Sequence, residues 1–438
     1  MDRRRFLQGM GGTGFLASTW GGAMSSLMAG ADEPDPDGPI LVLLHLAGGN
    51  DVLNTVVPVD TEGSIHYYAG RNELALDAGD VLPLQGGYGL HPHLQQIKSL
   101  WDQGDLAIVN GVGNPNQILS HFKSIDIWES GSPEALKESG WLGRYFQHRC
   151  SEEGSFDSMI GVDVRETASL AYLTPESDTT LTLSNPEFFE FLSREKELPS
   201  DPDFDRLLLR GMAEGLVSRG SSEGKILQYV TSSLKSALEG SDSIQASLGA
   251  ADAFDDKTVF PSTKLGRDLQ NIAGYISGGL PSSTYFLTQG GYDTHADQVQ
   301  LNGEGKPLDG RHAVLLAQFD EAMGAFVGEL KKRGVWNRVT VVAYSEFSRK
   351  VLQNGNMGTD HGAAGSVFVT GGQVKEGFYG EYPSLAPDDL ILNNSMPVTT
   401  DFRRVYRTIL ERGLGVDAAA AAELLRVHSD EFLPLDFL

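Results

Sequence analysis

Short unbroken apolar runs alternate along this chain with stretches whose apolar residues recur every three or four positions. The segment ILVLLHLAGGND, 40–51, begins as a continuous apolar run and stops at two glycines and an acid. A run of that kind suits a central parallel strand buried on both faces. LAIVNGVG (106–113), STYFLTQGGYDTH (283–295), RVTVVAYSEF (338–347) and GSVFVTGG (365–372) read as further strands. Between them, 91–104 places Leu94, Ile97, Leu100 and Trp101 at helical spacing, and 120–131 opens on a serine that suits a helix start. The stretch 312–334 sets Leu315, Leu316, Phe319, Met323, Phe326, Val327 and Leu330 on one helical face. A late amphipathic helix over 400–415 is closed by glycine. Two further helical stretches, 204–220 and 224–240, sit among Ser/Gly-rich joints and predict a mainly helical insertion at about 150–282. Strands alternating with helices predict an α/β fold: a mostly parallel central sheet with helices on both faces.

Composition narrows the function classes. The 438 residues include 34 basic and 59 acidic side chains, for a formal charge of -25. Such a surface repels nucleic acid and anionic membranes, and it repels an anionic substrate unless a bound cation reverses the local field. The single cysteine, Cys150, leaves no internal disulfide to form and reads as a buried, inert thiol. The N-terminus carries Arg3, Arg4, Arg5, Phe6, Leu7 and Gln8, the pattern of a twin-arginine export signal. A Gly-rich, mildly apolar run follows, too weak for a membrane span, and Ala29-Gly30-Ala31 offers small residues for signal cleavage. The expected organisation is a signal peptide at 1–31, a polar spacer at 32–39 and one large α/β domain at 40–438. The mature protein is expected in the periplasm or secreted, with the twin-arginine export machinery as a partner and no stable membrane span.

Four polar clusters then share one context. GGND carries Asp51, GYDTH carries Asp293 and His295, YSEF carries Glu346, and GTDHG carries Asp360 and His361. Each follows an apolar strand or occupies a Gly-rich loop near one. Strand ends of a parallel sheet converge on one edge, where open α/β sheets bind ligands. Four carboxylates and two imidazoles suit one or two divalent ions, with zinc, calcium and manganese as candidates. Each cluster also has a plainer reading: Asp51 as a helix cap, the Asp293 stretch as a turn, Glu346 paired with Arg349, and Asp360-His361 as turn residues. Ser120, at a helix N-terminus, is a candidate nucleophile or simply a cap, with His121 beside it as an acid, base or substrate contact. His45 reads as a satisfied interior histidine, and His312 opens a helix from which it could reach the site. Neither a dinucleotide-binding glycine fingerprint nor a G-x-S-x-G elbow is present.

Taken together, LAGGNDVLNTVVP (46–58), SHFKSIDIWESG, GYDTHADQ (291–298), SEFSR (345–349), the block from Asn356 to Leu385 and TTDFRRVY resemble the DUF1501 family of exported bacterial proteins. That family looks like a branch of the alkaline phosphatase and sulfatase superfamily. The resemblance implies a three-layer α/β/α, alkaline phosphatase-like fold with a metal site at the sheet edge. It implies metal-binding roles for Asp51, Asp293, His295, Glu346 and His361. Phe347 stands where the superfamily has a second ligand histidine, and Asp360 is the residue that could replace it. The C/S-x-P-S-R sequence of formylglycine sulfatases is absent. The expectation is an exported metal-dependent hydrolase of phosphate or sulfate esters, acting on an anionic small molecule or polysaccharide. The alternative is a non-catalytic exported binding protein that keeps the fold.

Overall fold

The apolar run after Pro39 is strand β1 (Ile40–Ala47), buried along almost its whole length in a computed structural model of the protein. The structure describes residues 38–134, 138–153, 161–165, 169–173, 180–182, 258–280, 282–428 and 430–438. The export signal and both helical stretches at 204–220 and 224–240 lie outside the described residues. After β1 come β2 (Val56–Pro58), β3 (Leu82–Pro83), β4 (Tyr88–Leu90), β5 (Leu106–Gly113), β6 (Gly161–Asp163), β7 (Thr180–Thr182) and β8 (Thr284–Gly290). Then follow β9 (Val339–Tyr344), β10 (Ser348–Gln353), β11 (Thr359–Gly362), β12 (Gly365–Gly371), β13 (Gly377–Tyr379) and β14 (Thr400–Asp401). The helices are α1 (Ser64–Gly70), α2 (Gln95–Asp102), α3 (His121–Ser130), α4 (Trp141–Glu153), α5 (Lys264–Ser277), α6 (Arg311–Lys332), α7 (Phe402–Thr408) and α8 (Ala418–Leu424).

Nine of these strands form one sheet in the order β13-β5-β12-β9-β1-β8-β6-β7, with β14 also on β5. The described neighbours run parallel except at β12, which is antiparallel to both β9 and β5. A mostly parallel sheet with β1 at its heart is what the continuous apolar run predicts. Successive side chains of β1 point to opposite faces. Val42, Leu44 and Leu46 pack with residues of α2, α5 and α6 in one core. Leu41 and Leu43 pack with residues of α3, α4, α7 and α8 in the other. The result is a mixed α/β architecture with a helical layer on each face of the sheet.

Two local expectations change. GTDHG, read as a turn, is largely strand β11, which pairs antiparallel with β10 through Arg349↔His361 and Ser348↔Gly362. Backbone pairing there holds His361 against its neighbours more firmly than a free loop would. The late helix is α-helical only over Phe402–Thr408, and a wider π-type turn follows at Ile409–Gly413. The helix layers are tied by specific polar contacts as well as by apolar packing. Asp320 of α6 accepts backbone N–H bonds from Gln96 at 3.0 Å and Ile97 at 2.8 Å, in the first turn of α2. No side chain of α2's own N-cap does this, so the cap comes from a neighbouring helix. Replacing it, Asp320→Ala, is expected to cost about 1–2 kcal/mol, as for other lost helix caps. Urea denaturation of the variant against the parent reads this as a lower midpoint.

Candidate functional site

Strand ends deliver most of the site. β1 ends at Ala47, β8 at Gly290 and β9 at Tyr344, and the residues just beyond them fold over the same edge. After β8 the chain alternates: Tyr292 and Thr294 are buried, whereas Asp293 and His295 are exposed. A spacing of two therefore presents this Asp and His on one side. Strand β11 brings His361 to them, and the start of α3 brings His121.

These four side chains meet. Asp293 Oδ1 lies 3.1 Å from His361 Nε2 and 3.3 Å from His295 Nε2. The two imidazole Nε2 atoms stand 3.0 Å apart. His121 Nε2 is 3.6 Å from Asp293 Oδ2. Ligand atoms of His121, Asp293 and His361 all fall within 4.8 Å of one another.

The far nitrogen of each imidazole decides what this convergence means. His361 Nδ1 faces the Leu119 carbonyl at 3.0 Å, an acceptor only, so Nδ1 carries the proton and donates it. Burial pushes the His361 pKa down, which favours the neutral ring. His295 Nδ1 faces Asp360 Oδ1 at 3.2 Å. Asp360 is held below the usual carboxylate range: partial burial opposes this, but bonds from Asn354 and His295 overcome it. His121 Nδ1 faces Glu346 Oε1 at 2.7 Å. In each ring an acceptor on the outer nitrogen leaves the Nε2 lone pair aimed inward. His121 Nε2 is buried and has no hydrogen-bond partner. A neutral His361 with its proton on Nδ1 cannot donate to His295 Nε2 or Asp293 Oδ1, so its Nε2 lone pair is set against both at 3.0 and 3.1 Å. A cation resolves that conflict. Donor atoms of a tetrahedral zinc at about 2.0–2.1 Å stand about 3.3 Å apart, close to the spacing seen. The residues present therefore fit a metal ion.

The expected ligand set divides on this geometry. Asp293, His295 and His361 converge, and His121, expected as an acid, base or substrate contact, joins them. Glu346 stands behind His121. It accepts from the backbone N–H of Gly48 at 2.9 Å, contacts His45 Nε2 at 3.0 Å and receives the Ser345 hydroxyl at 3.1 Å. Burial alone would raise its pKa, but the bonds from His121 and His45 hold the carboxyl well below its ordinary range. Its oxygens are thus committed to orienting His121. Asp360 likewise stands behind His295, on the outer nitrogen of its ring. The Phe347 ring packs against His121 and His361, with centroids 4.8 and 4.7 Å away, as an apolar wall.

Asp51 lies outside the cluster. Arg71 grips it from both sides, with Nη2 at 2.8 Å from Oδ1 and Nη1 on Oδ2, and Gln298 Nε2 adds a bond at 2.5 Å. Both residues are fully buried, so a metal role gives way to a structural ion pair. Asp51 nominally precedes a short 3-10 turn, but its side chain makes no cap bond there. Ser120 is exposed and precedes α3 without a side-chain cap bond, so its hydroxyl is uncommitted to the helix. His312 is buried and bonds Asn50 Oδ1 at 2.8 Å, and burial lowers its pKa to about 4. It supports the loop after β1 and stays away from the centre.

Arg349 is the functional residue that sequence patterning missed. It does not pair with Glu346. Its Nη2 donates to Asp293 Oδ1 and to the Tyr292 carbonyl, both at 2.8 Å, and also reaches the Gly48 carbonyl. Nε donates to Gly49 O at 2.7 Å and Nη1 to Thr359 O at 3.0 Å. Partial burial pushes Asp293 up, but the Arg349 guanidinium outweighs it and brings its pKa down to about 2. The signal available in sequence was an arginine one residue after Ser348, on a segment otherwise buried.

Residues 283–425 match the model of the family described as "Protein of unknown function (DUF1501)". That segment contains Asp293, His295, Arg349, Asp360 and His361. No curated protein matches the chain. Among solved structures, the chain resembles a protein in the alkaline phosphatase superfamily from Vibrio parahaemolyticus, at 8% identity and TM-score 0.36, covering 91% of this chain and 72% of that one. It also resembles the C-terminal periplasmic domain of EcEptC from Escherichia coli, at 10% identity and TM-score 0.35, covering 88% and 87%. A third is the lipoteichoic acid synthase LtaP from Listeria monocytogenes, at 10% identity and TM-score 0.31, covering 91% and 78%. Likeness at that level says nothing of activity.

Two outcomes follow from the assignment of Glu346 and Asp51. Glu346→Gln is expected to weaken zinc binding about 10–100-fold, the usual effect of losing a residue that orients a ligand histidine. Isothermal titration of zinc into the two proteins measures it. Asp51→Ala is expected to destabilise by about 3–5 kcal/mol, because it leaves Arg71 buried and unpaired, yet to retain the metal stoichiometry of the parent. Denaturant titration and elemental analysis check the two halves separately.

Proposed function

We propose that this chain is a metal-dependent hydrolase of phosphate or sulfate esters, with a divalent ion held by His121, Asp293, His295 and His361. The observation that carries this reading is the convergence of inward lone pairs, each backed by an acceptor on the outer nitrogen. Three imidazoles and one carboxylate suit zinc or manganese better than calcium, which prefers oxygen ligands throughout. Held by these four residues, a divalent ion would supply Lewis-acid chemistry, favouring hydroxide near neutral pH and stabilising charge on a phosphate or sulfate ester.

The chain's own groups supply the rest. Arg349 and Glu346 fix the ligand loops, so Asp293 and His121 are already in place before substrate arrives. Ser120 is the candidate nucleophile: exposed, free of a capping bond and directly before His121. The first turn of α3 has no side-chain cap, and its free N–H groups and dipole favour an anion beside it. The positive centre offsets the overall charge of -25, which would otherwise repel an anionic ester. The same reading delivers the protein through the twin-arginine machinery to the periplasm or beyond, on the strength of Arg3 and Arg4. Among the described residues no helix is long and apolar enough to cross a membrane.

One observation favours a second reading. Phe347 fills space against His121 and His361, and among the described residues one His/Asp cluster is found. A single ion lacks the two-metal clamp on attacking and leaving oxygens. The alternative is an exported binding protein that keeps the ion as a structural element.

Elemental analysis of protein purified without added metal, followed by a panel of phosphate mono- and diesters and sulfate esters, separates these readings. The hydrolase reading expects about one transition-metal ion per chain, turnover abolished by chelation, and loss of both metal and turnover in Asp293→Ala and His361→Ala. Ser120→Ala is expected to lower turnover while metal content stays at the parent level. Full metal with no turnover on any ester supports the binding role. Full metal in both ligand variants sinks the site itself.

A further inference from the structure

Glycine directly follows asparagine three times in the chain, at Asn110-Gly111, Asn302-Gly303 and Asn354-Gly355. Such a pair carries its own chemistry. The backbone nitrogen of the glycine attacks the side-chain carbonyl carbon of the asparagine, and no Cβ stands in its way. The side-chain nitrogen leaves as ammonia, taking the glycine N–H proton, and a five-membered imide closes. Water then opens the imide to aspartate or isoaspartate. One water is consumed and one ammonia released, so no other reactant is needed.

The fold treats the three pairs differently. Asn110 is buried in β5 between β12 and β13, and its Oδ1 accepts from the Ser366 hydroxyl at 3.1 Å. The paired backbone there cannot turn to bring the Gly111 nitrogen onto the side chain. Asn302-Gly303 lies in a surface loop, where Asn302 Oδ1 accepts from the N–H groups of Glu304 and Lys306 at 2.9 and 3.0 Å. Asn354-Gly355 sits at the tip of the β10–β11 hairpin. Gly355 is exposed, and its N–H has no partner among the described residues. The Asn356 N–H donates to Asn354 Oδ1 at 2.9 Å and so polarises the carbonyl under attack.

What sets Asn354 apart is what its amide holds. Nδ2 donates to the His295 carbonyl at 2.8 Å and lies 3.4 Å from Asp360 Oδ1, the atom that faces His295 Nδ1. The same tip accepts the N–H groups of Asp297 and Gln298 on the carbonyls of Asn356 and Met357. Deamidation replaces this donor with a carboxylate oxygen, set against a carbonyl and a second carboxylate. Isoaspartate also adds a methylene to the main chain of the tip.

We propose that Asn354-Gly355 is a self-modifying site, and that its deamidation loosens His295 and Asp360 and weakens metal retention at the centre. The first half stands on the hairpin alone; the second rests on His295 being a metal ligand. The full-length protein is held in warm, mildly alkaline buffer while peptide mass spectrometry follows each asparagine. Conversion is expected at Asn354 and Asn302 and not at Asn110. In Gly355→Ala the added methyl crowds the attack yet meets nothing within 4 Å, so most conversion at Asn354 is lost and that at Asn302 persists. Asn354→Asp, the product made directly, is expected to bind zinc about tenfold more weakly than the parent by isothermal titration, the scale of losing a residue that orients a ligand histidine. Aged parent is expected to weaken likewise, whereas aged Gly355→Ala keeps its zinc affinity although its Asn302 has converted. A melting temperature for each variant confirms that it folds. Asn354 converting no faster than Asn110 overturns the modification. Parent-like zinc affinity in Asn354→Asp overturns its link to the centre. A parent that binds no zinc removes the metal-site reading and that link together, while the mass spectra decide the modification separately.

Discussion

The site depends on one guanidinium. Arg349 is fully buried, and its donors reach the carbonyls of Gly48 and Gly49 after β1, the Tyr292 carbonyl and the Asp293 carboxylate after β8, and the Thr359 carbonyl at the start of β11. Three separate segments are pinned to a fourth by a single planar fork. A lysine has the charge but not the fork, so it would hold one of these segments and release the others. The positive charge matters as well. Asp293 faces two imidazole lone pairs and Glu346 lies behind His121, so this edge of the sheet gathers negative potential that Arg349 partly cancels. A bound divalent ion would cancel more of it.

Close approach of backbones is the second constraint. Gly48 has φ of +122°, and a Cβ there would sit 2.3 Å from the amide nitrogen of Asp293. Its N–H also donates to Glu346. The same residue therefore lets the loop after β8 pass close by and helps to hold the carboxylate that orients His121. Any side chain at this position would push Asp293 away from His361. The glycines of the GGND and GTDHG motifs thus shape the site without touching a ligand. The Arg71–Asp51 pair has a comparable role one layer down, where Arg71 also donates to the carbonyls of Val351 and Lys350 in β10.

Much of the fold was legible from the chain. The continuous run at 40–47 is buried on both faces because it is the central parallel strand. The seven-residue apolar stripe of 312–334 faces a sheet and two helices, as its period demanded. The orientation of β12 was not legible. It runs antiparallel to both β9 and β5, yet the apolar pattern of GSVFVTGG reads the same in either direction. In the site, Asp293 and His295 were legible as a pair because a spacing of two in an extended segment shares one side. Glu346 and Asp360 were legible as participants but not as outer partners of His121 and His295. A carboxylate beside a histidine looks alike in sequence whether it faces the metal or the far side of the ring.

By itself the sequence determined the elements, the sheet edge on which polar residues would gather, and the residue types capable of holding a cation. Those follow from periodicity and from the position of charges just beyond apolar strands, both local properties of the chain. Only the tertiary structure decided that His121 belongs with Asp293, His295 and His361, that Asp51 is locked to Arg71, and that Arg349 binds the loops together. Each of those depends on which nitrogen or oxygen points inward. That direction is set by acceptors and donors hundreds of residues away, such as Glu346 opposite His121 and Leu119 opposite His361.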